Sequence, residues 1–99
     1  MNKMEEQYGQ ELDLRVKGGE LLWFLFEGIK LRLADNTFYT PDYLVLTKDH
    51  ELEIHEVKGH WEDDARCKIK VAAETFPFRF IAITAVSKKQ GGGWKVEEF

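Results

Sequence analysis

Glu56 and Lys58 stand two positions apart in HEVKGHW, residues 55–61, at the end of an apolar run. In an extended strand that spacing puts both side chains on one face, where they form either an idle ion pair or half of a catalytic site. The second case needs another carboxylate at the same point. The polar stretch TKDHE (47–51) lies between two apolar runs, and a hairpin closed there pairs Leu46 with Leu52, Leu44 with Ile54 and Asp42 with Glu56. Carboxylates set directly opposite each other repel, and sheet stability supplies no reason for them. As hard oxygen ligands they suit Mg²⁺ or Mn²⁺, which would acidify a water and screen a phosphate, with a neighbouring lysine to orient that water or meet developing negative charge. The chemistry expected of the trio is phosphodiester hydrolysis.

The elements that must position these groups follow from periodicity. Met4, Tyr8, Leu12 and the stem of Arg15 form one stripe of a helix from about Lys3 to Lys17, ended at Gly18-Gly19. Glu5 lies on the flank of that stripe, and Gly9 counts against the helix by about 1 kcal/mol relative to alanine. ELLWFLFEG (20–28) fits a buried strand, IKLRLAD (29–35) alternates with period 2, and TFYTPDYLVL (37–46) returns as a strand with Pro41 at an irregular or edge position. With LEIHEVK (52–58), the first half reads as an antiparallel meander. WEDDARCKIKVAAETF then changes to helical spacing: acids fill its first turn, and Ala65, Ile69, Ala72, Ala73 and Phe76 form an apolar face that stops at Pro77. FRFIAITAV (78–86), a mobile turn at 88–93 and a short closing strand, WKVEEF, complete the chain. The expected fold is α+β: a mixed central sheet flanked by two helices, in one domain over 1–99.

Composition bounds the alternatives. Apolar residues at 43% and aromatics at 13% indicate a globular chain. A single cysteine, Cys67, excludes an internal disulfide framework, and no run approaches the ~18 apolar residues of a membrane span. MNKMEEQYGQ lacks the apolar core of a signal peptide, so a cytosolic location is expected, without a membrane partner or organic cofactor. The net charge of −4 argues against nucleic acid. Its distribution softens the objection: residues 1–60 carry 7 basic and 12 acidic side chains, residues 61–99 carry 7 and 6, and a divalent cation among the acids would offset part of the deficit.

Pro41-Asp42, thirteen residues, then Glu56-Val57-Lys58 resembles the signature of the PD-(D/E)XK, restriction-endonuclease-like nuclease superfamily. The wider stretches EGIKLRLADNTFYTPDYLVL and HEVKGHWEDDARCKIKVAAE are similar to small phage-encoded proteins of that superfamily, and the likeness covers most of the chain. The resemblance implies a restriction-endonuclease-like core and a Mg²⁺- or Mn²⁺-dependent DNA endonuclease, acting in the host cytoplasm if phage-encoded. Asp42 and Glu56 would be acidic metal ligands, the Val57 carbonyl a further ligand, and Lys58 the residue that positions the attacking water. It also implies a glutamate from the first helix, for which Glu5 is chosen with Glu6 and Glu11 open, and a basic side chain from the second helix, among Arg66, Lys68 and Lys70.

Other positions have plainer alternatives. Acids at a helix start serve the dipole alone, which weighs on Glu5. His55 faces the opposite side of its strand as a partly buried packing residue, and Cys67 has no nucleophile constellation around it. His60 is a loop residue within reach of DNA, Trp61 can stack on a base, and Lys88-Lys89 is a basic turn that doubles as an ordinary solvated one. Metal-assisted hydrolysis treats DNA and RNA backbones alike, so RNA stays open. The competing class is a non-catalytic, nuclease-like module that binds DNA or protein. Leu21–Phe26 is more apolar than a half-exposed strand requires, which suggests either a homodimer across it or a central strand covered on both faces.

Overall fold

A computed structural model of the chain describes residues 1–59 and 63–99. Helix α1 spans Lys3–Lys17, as its stripe predicts. Asn2 caps it by accepting from Glu5 N–H, while the Glu5 carboxylate accepts from Asn2 N–H, so two otherwise orphaned donors are satisfied at once. The left-handed residue that turns the chain out of the helix is Gly19, at φ +84°.

Strands β1 (Leu21–Phe26), β4 (Tyr43–Thr47), β5 (Leu52–Lys58), β6 (Arg79–Ala85) and β7 (Trp94–Glu98) form a five-stranded sheet in the order β1-β4-β5-β6-β7. Strands β2 (Leu31–Ala34) and β3 (Thr37–Tyr39) form a separate two-stranded ribbon. Among the described residues only β5 and β6 run parallel, with α2 (Asp63–Thr75) between them in the chain; the other pairs are antiparallel. The fold is therefore α+β with a mixed sheet, and among the described residues no helix is long and apolar enough to cross a membrane.

Three expectations are corrected. The first half is not a meander, because β1 pairs with β4 while β2 and β3 leave the sheet. The departure begins at Glu27, whose φ of +49° turns the chain sharply after β1. The predicted strand 37–46 is two strands, broken around Pro41, which has no N–H to give a ladder. And β1 is an edge strand rather than a buried one: Trp23 is 39% and Leu25 51% exposed.

The sheet carries an apolar core on each face. Tyr8 and Leu12 of α1 meet Tyr43, Val45, Val57, Ile81 and Ile83 on one side, while Ile69 and Ala72 of α2 meet Leu44, Ile54, Phe80 and the inner residues Leu31 and Tyr39 of the ribbon on the other. One polar chain crosses the first core. Tyr8 Oη lies 2.7 Å from His55 Nδ1, His55 Nε2 lies 2.9 Å from Glu53 Oε1, and Arg79 donates to Glu53 Oε2 at 3.1 Å. Burial raises the Tyr8 pKa, and the hydrogen bond from His55 lowers that of Glu53. The hydroxyl therefore donates to Nδ1 and Nε2–H donates to an ionised carboxylate. His55 is fully buried and hydrogen-bonded at both ring nitrogens, more than the partly buried packing residue expected of it.

Gly9, a weakness in the helix by propensity, is explained by packing. A Cβ at this position would stand 2.5 Å from Tyr43 Oη, which donates to the Glu5 carbonyl at 2.6 Å. Gly9→Ala should lower stability to urea although alanine favours helix by about 1 kcal/mol. In a Tyr43→Phe background, where the clashing oxygen is gone, the same substitution should become neutral or stabilising. An equal loss in both backgrounds would refute the steric account.

Candidate functional site

The ladder between β4 and β5 runs Tyr43↔His55, Leu44↔Ile54, Val45↔Glu53 and Leu46↔Leu52, the register expected of a hairpin closed at 47–51. It stops one residue short of Asp42. Val57 N–H, which a longer β4 would have met with a main-chain carbonyl, is instead accepted by Asp42 Oδ2 at 2.7 Å. Residues in a hydrogen-bonded antiparallel pair exchange both bonds, and the residue that would oppose Val57 is Pro41, which has no N–H to return to the Val57 carbonyl. The Pro-Asp pair thus ends the ladder and holds a carboxylate against the neighbouring strand.

Asp42 and Glu56 are both buried, and their charges oppose each other. The Asp42 pKa is pushed up from an ordinary 3.8 to about 8, first by burial, then by the Glu56 charge; the Val57 N–H works in the opposite direction, and hydrogen bonding with the Glu5 and Glu56 carboxyls adds to the rise. Of the three α1 glutamates considered, Glu5 is the one that acts on Asp42. Glu11 pairs with Arg15 at 3.3 Å, and Glu6 lines the groove between α1 and β1.

Glu56 is held at both oxygens. Tyr39 Oη donates to Oε2 at 2.5 Å, and Lys58 Nζ lies 3.5 Å from Oε1. Burial first, and then the Glu56 charge, raise the Tyr39 pKa, so its hydroxyl remains a donor throughout the working pH range. Glu56 and Lys58 open into a cleft of about 350 Å³. Phe38, Tyr39 and Thr40 form its ribbon wall, and Asp64, Ala65 and Lys68 form its α2 wall.

Of the three basic candidates on α2, the cleft receives Lys68. Arg66 makes a bidentate pair with Glu97, at 2.6 and 3.2 Å, and Lys70 lies beside Glu74 and Phe99. Lys88 and Lys89 occupy a 3-10 turn after β6, at the same end of the sheet as Lys58 but apart from the residues lining the cleft. His60 and Trp61 lie outside the described residues. Among the cleft residues, Phe38, Tyr39 and Asp64 were not candidates from the sequence. Asp64 and Lys68 are four apart, a spacing that places both on one helix face and marks them as a pair. Tyr39 carries no such signal, because its contact with Glu56 depends on the ribbon folding over the sheet.

The donor set fits a hard divalent cation. Asp42 and Glu56 supply carboxylate oxygens whose repulsion such a cation would relieve, and Glu5 lies beside Asp42 as a further oxygen donor. Among the described residues no three His, Cys, Asp or Glu side chains already stand at ligand spacing.

The raised Asp42 pKa has a consequence for stability. The folded protein holds this proton more tightly than the unfolded chain, so the stabilisation is full below about pH 4 and is lost as pH rises to about 8. In EDTA, the melting temperature of the wild type should therefore fall relative to that of Asp42→Asn between pH 5 and pH 8. Parallel pH profiles for the two proteins would show that Asp42 titrates normally.

Comparison with known protein families, with curated proteins and with solved structures finds no match, which leaves the geometry of the cleft as the guide to its chemistry.

Proposed function

We propose that the chain is a Mg²⁺- or Mn²⁺-dependent DNA endonuclease of the PD-(D/E)XK kind, working in the cytoplasm. The observation that carries this reading is the convergence of Asp42, Glu56 and Lys58, with Glu5 beside Asp42, at one end of the sheet. Asp42, Glu56 and Glu5 would hold the cation, with the Val57 carbonyl as a further oxygen. The cation supplies charge that screens the phosphate and acidifies a water. Lys58 is 30% exposed at its side chain, which leaves its ammonium able to donate to an attacking water or to a phosphate oxygen. Tyr39 fixes the carboxylate plane of Glu56, and Val57 N–H fixes that of Asp42, so both ligands are oriented before substrate arrives. Lys68, across the cleft, offers a second cation to the nucleic-acid backbone.

One observation favours the competing reading of a non-catalytic binding module. Both oxygens of Glu56 are already engaged by Tyr39 and Lys58, which is how a purely structural carboxylate would be satisfied. The two readings separate experimentally. On plasmid and branched DNA in Mg²⁺, Lys58→Ala should slow cleavage about 10²- to 10³-fold, the cost of removing one positioned donor. Asp42→Asn should lose both cleavage and the specific Mn²⁺ site seen by calorimetry. Undiminished cleavage by both variants rules the site out, and absence of a Mn²⁺ site in the wild type leaves the binding module.

We further propose a homodimer formed through β1. Leu21–Phe26 has no charge over six residues, has no strand beyond it among the described residues, and leaves Leu22, Trp23 and Leu25 exposed. Exposed sheet edges are ordinarily guarded by Lys or Pro. Antiparallel pairing with the same strand of a second copy would satisfy the free backbone groups and cover these side chains by one self-complementary contact. Light scattering at micromolar concentration should give twice 11.6 kDa, falling towards one chain when Leu25 is replaced by Lys. A mass of one chain for the wild type refutes the dimer.

A further inference from the structure

The ribbon that covers Glu56 presents a second, different surface. Its inner face carries Leu31 and Tyr39 into the core, and its outer face pairs Arg32 directly with Phe38. Phe38 is 43% exposed at the mouth of the cleft, and Lys30 Nζ sits 4.6 Å from its ring centroid. An aromatic ring left in solvent with an ammonium against it stands at the opening of a cleft that holds Lys58 and Lys68 beside the acids Glu56 and Asp64, while Arg32, its cross-strand neighbour, pairs with Asp35 at 3.3 Å. Fold stability does not require this arrangement, because Tyr39 and Leu31 already anchor the ribbon from its other face.

We propose that Phe38 is a base-stacking platform and that the cleft accepts an unpaired nucleotide, as in a single strand, a flap or a frayed end, next to the phosphate to be cut. Stacking requires an exposed base face, which the interior of a continuous duplex does not offer. Lys30 lies against the platform where the sugar-phosphate chain would pass, and Lys58 and Lys68 continue that path into the cleft. The inference rests on the phosphodiester reading of the same cleft and adds the substrate class to it.

The test is binding without cleavage. In EDTA, fluorescence anisotropy of a labelled 12-nucleotide oligothymidylate and of a blunt hairpin duplex is measured for the wild type, Phe38→Ala and Phe38→Trp. The wild type should prefer the single strand. Phe38→Ala should weaken single-strand binding about tenfold, within the range for loss of one stacked base, and duplex binding less than twofold; Phe38→Trp should restore it. Phe38 is part-exposed, so each variant's melting temperature should stay near that of the wild type. Single-strand binding unchanged in Phe38→Ala, an equal loss for both probes, or no preference in the wild type overturns the proposal. Failure here alongside cleavage that depends on Lys58 and Asp42 removes only the stacking platform. A Phe38-dependent single-strand preference alongside cleavage indifferent to Lys58 and Asp42 removes only the nuclease.

Discussion

The hydrogen bond from Val57 N–H to Asp42 Oδ2 is the contact on which the arrangement of the site depends. It caps the end of the β4–β5 ladder with a side chain in place of main chain, and in doing so commits a carboxylate to a buried position beside Glu56. A carboxylate kept there for stability alone would be a poor choice, because burial and the neighbouring charge both oppose its ionisation. A single N–H only partly compensates. The remaining imbalance raises the pKa of Asp42, and a hard cation would relieve it.

Around this point each structural element contributes one restraint. Helix α1 is pinned to the sheet through Tyr8 on His55 and through Tyr43 on the Glu5 carbonyl, which brings the helix start, with its capping glutamate, up to Asp42. The close approach is possible because residue 9 has no side chain. From the opposite face, the ribbon delivers Tyr39 onto Glu56, and α2 delivers Asp64 and Lys68 to the cleft wall. One core lies on each face of the sheet, and the polar site stands at one end of its central strands.

Charge bookkeeping over the whole chain obscures this. The excess of acids includes several that are internally committed: Glu53 to His55 and Arg79, Glu97 to Arg66, Glu98 to Arg79, and Glu11 to Arg15. Lys58 and Lys68 line the cleft together with Glu56 and Asp64, and Lys30 lies over Phe38 beside it, so a phosphate there would meet this local arrangement and not the net charge.

Much of this was determined by the sequence alone. The stripe at Met4, Tyr8 and Leu12, with Gly18-Gly19 after it, marked α1, and the polar turn 47–51 between the runs 40–46 and 52–58 set the hairpin register. That register set Asp42 opposite Glu56; the ladder itself ends at Tyr43, and Asp42 reaches Glu56 through its side-chain bond to Val57 N–H, with Lys58 beside Glu56. What only the tertiary structure decided were pairings between segments with no local signal. An uncharged strand reads alike at the centre or the edge of a sheet, so the place of Leu21–Phe26 beside β4 depended on where the sheet ended. Alternation in 29–39 identifies strands but does not say which partner they choose, and by leaving the sheet as a ribbon they brought Tyr39 to Glu56 and left Phe38 in solvent. Gly9 reads as a helix weakness until Tyr43, 34 residues further on, is seen to occupy its space. Periodicity records which face of an element is apolar; the choice of what covers that face belongs to long-range packing, which has no period.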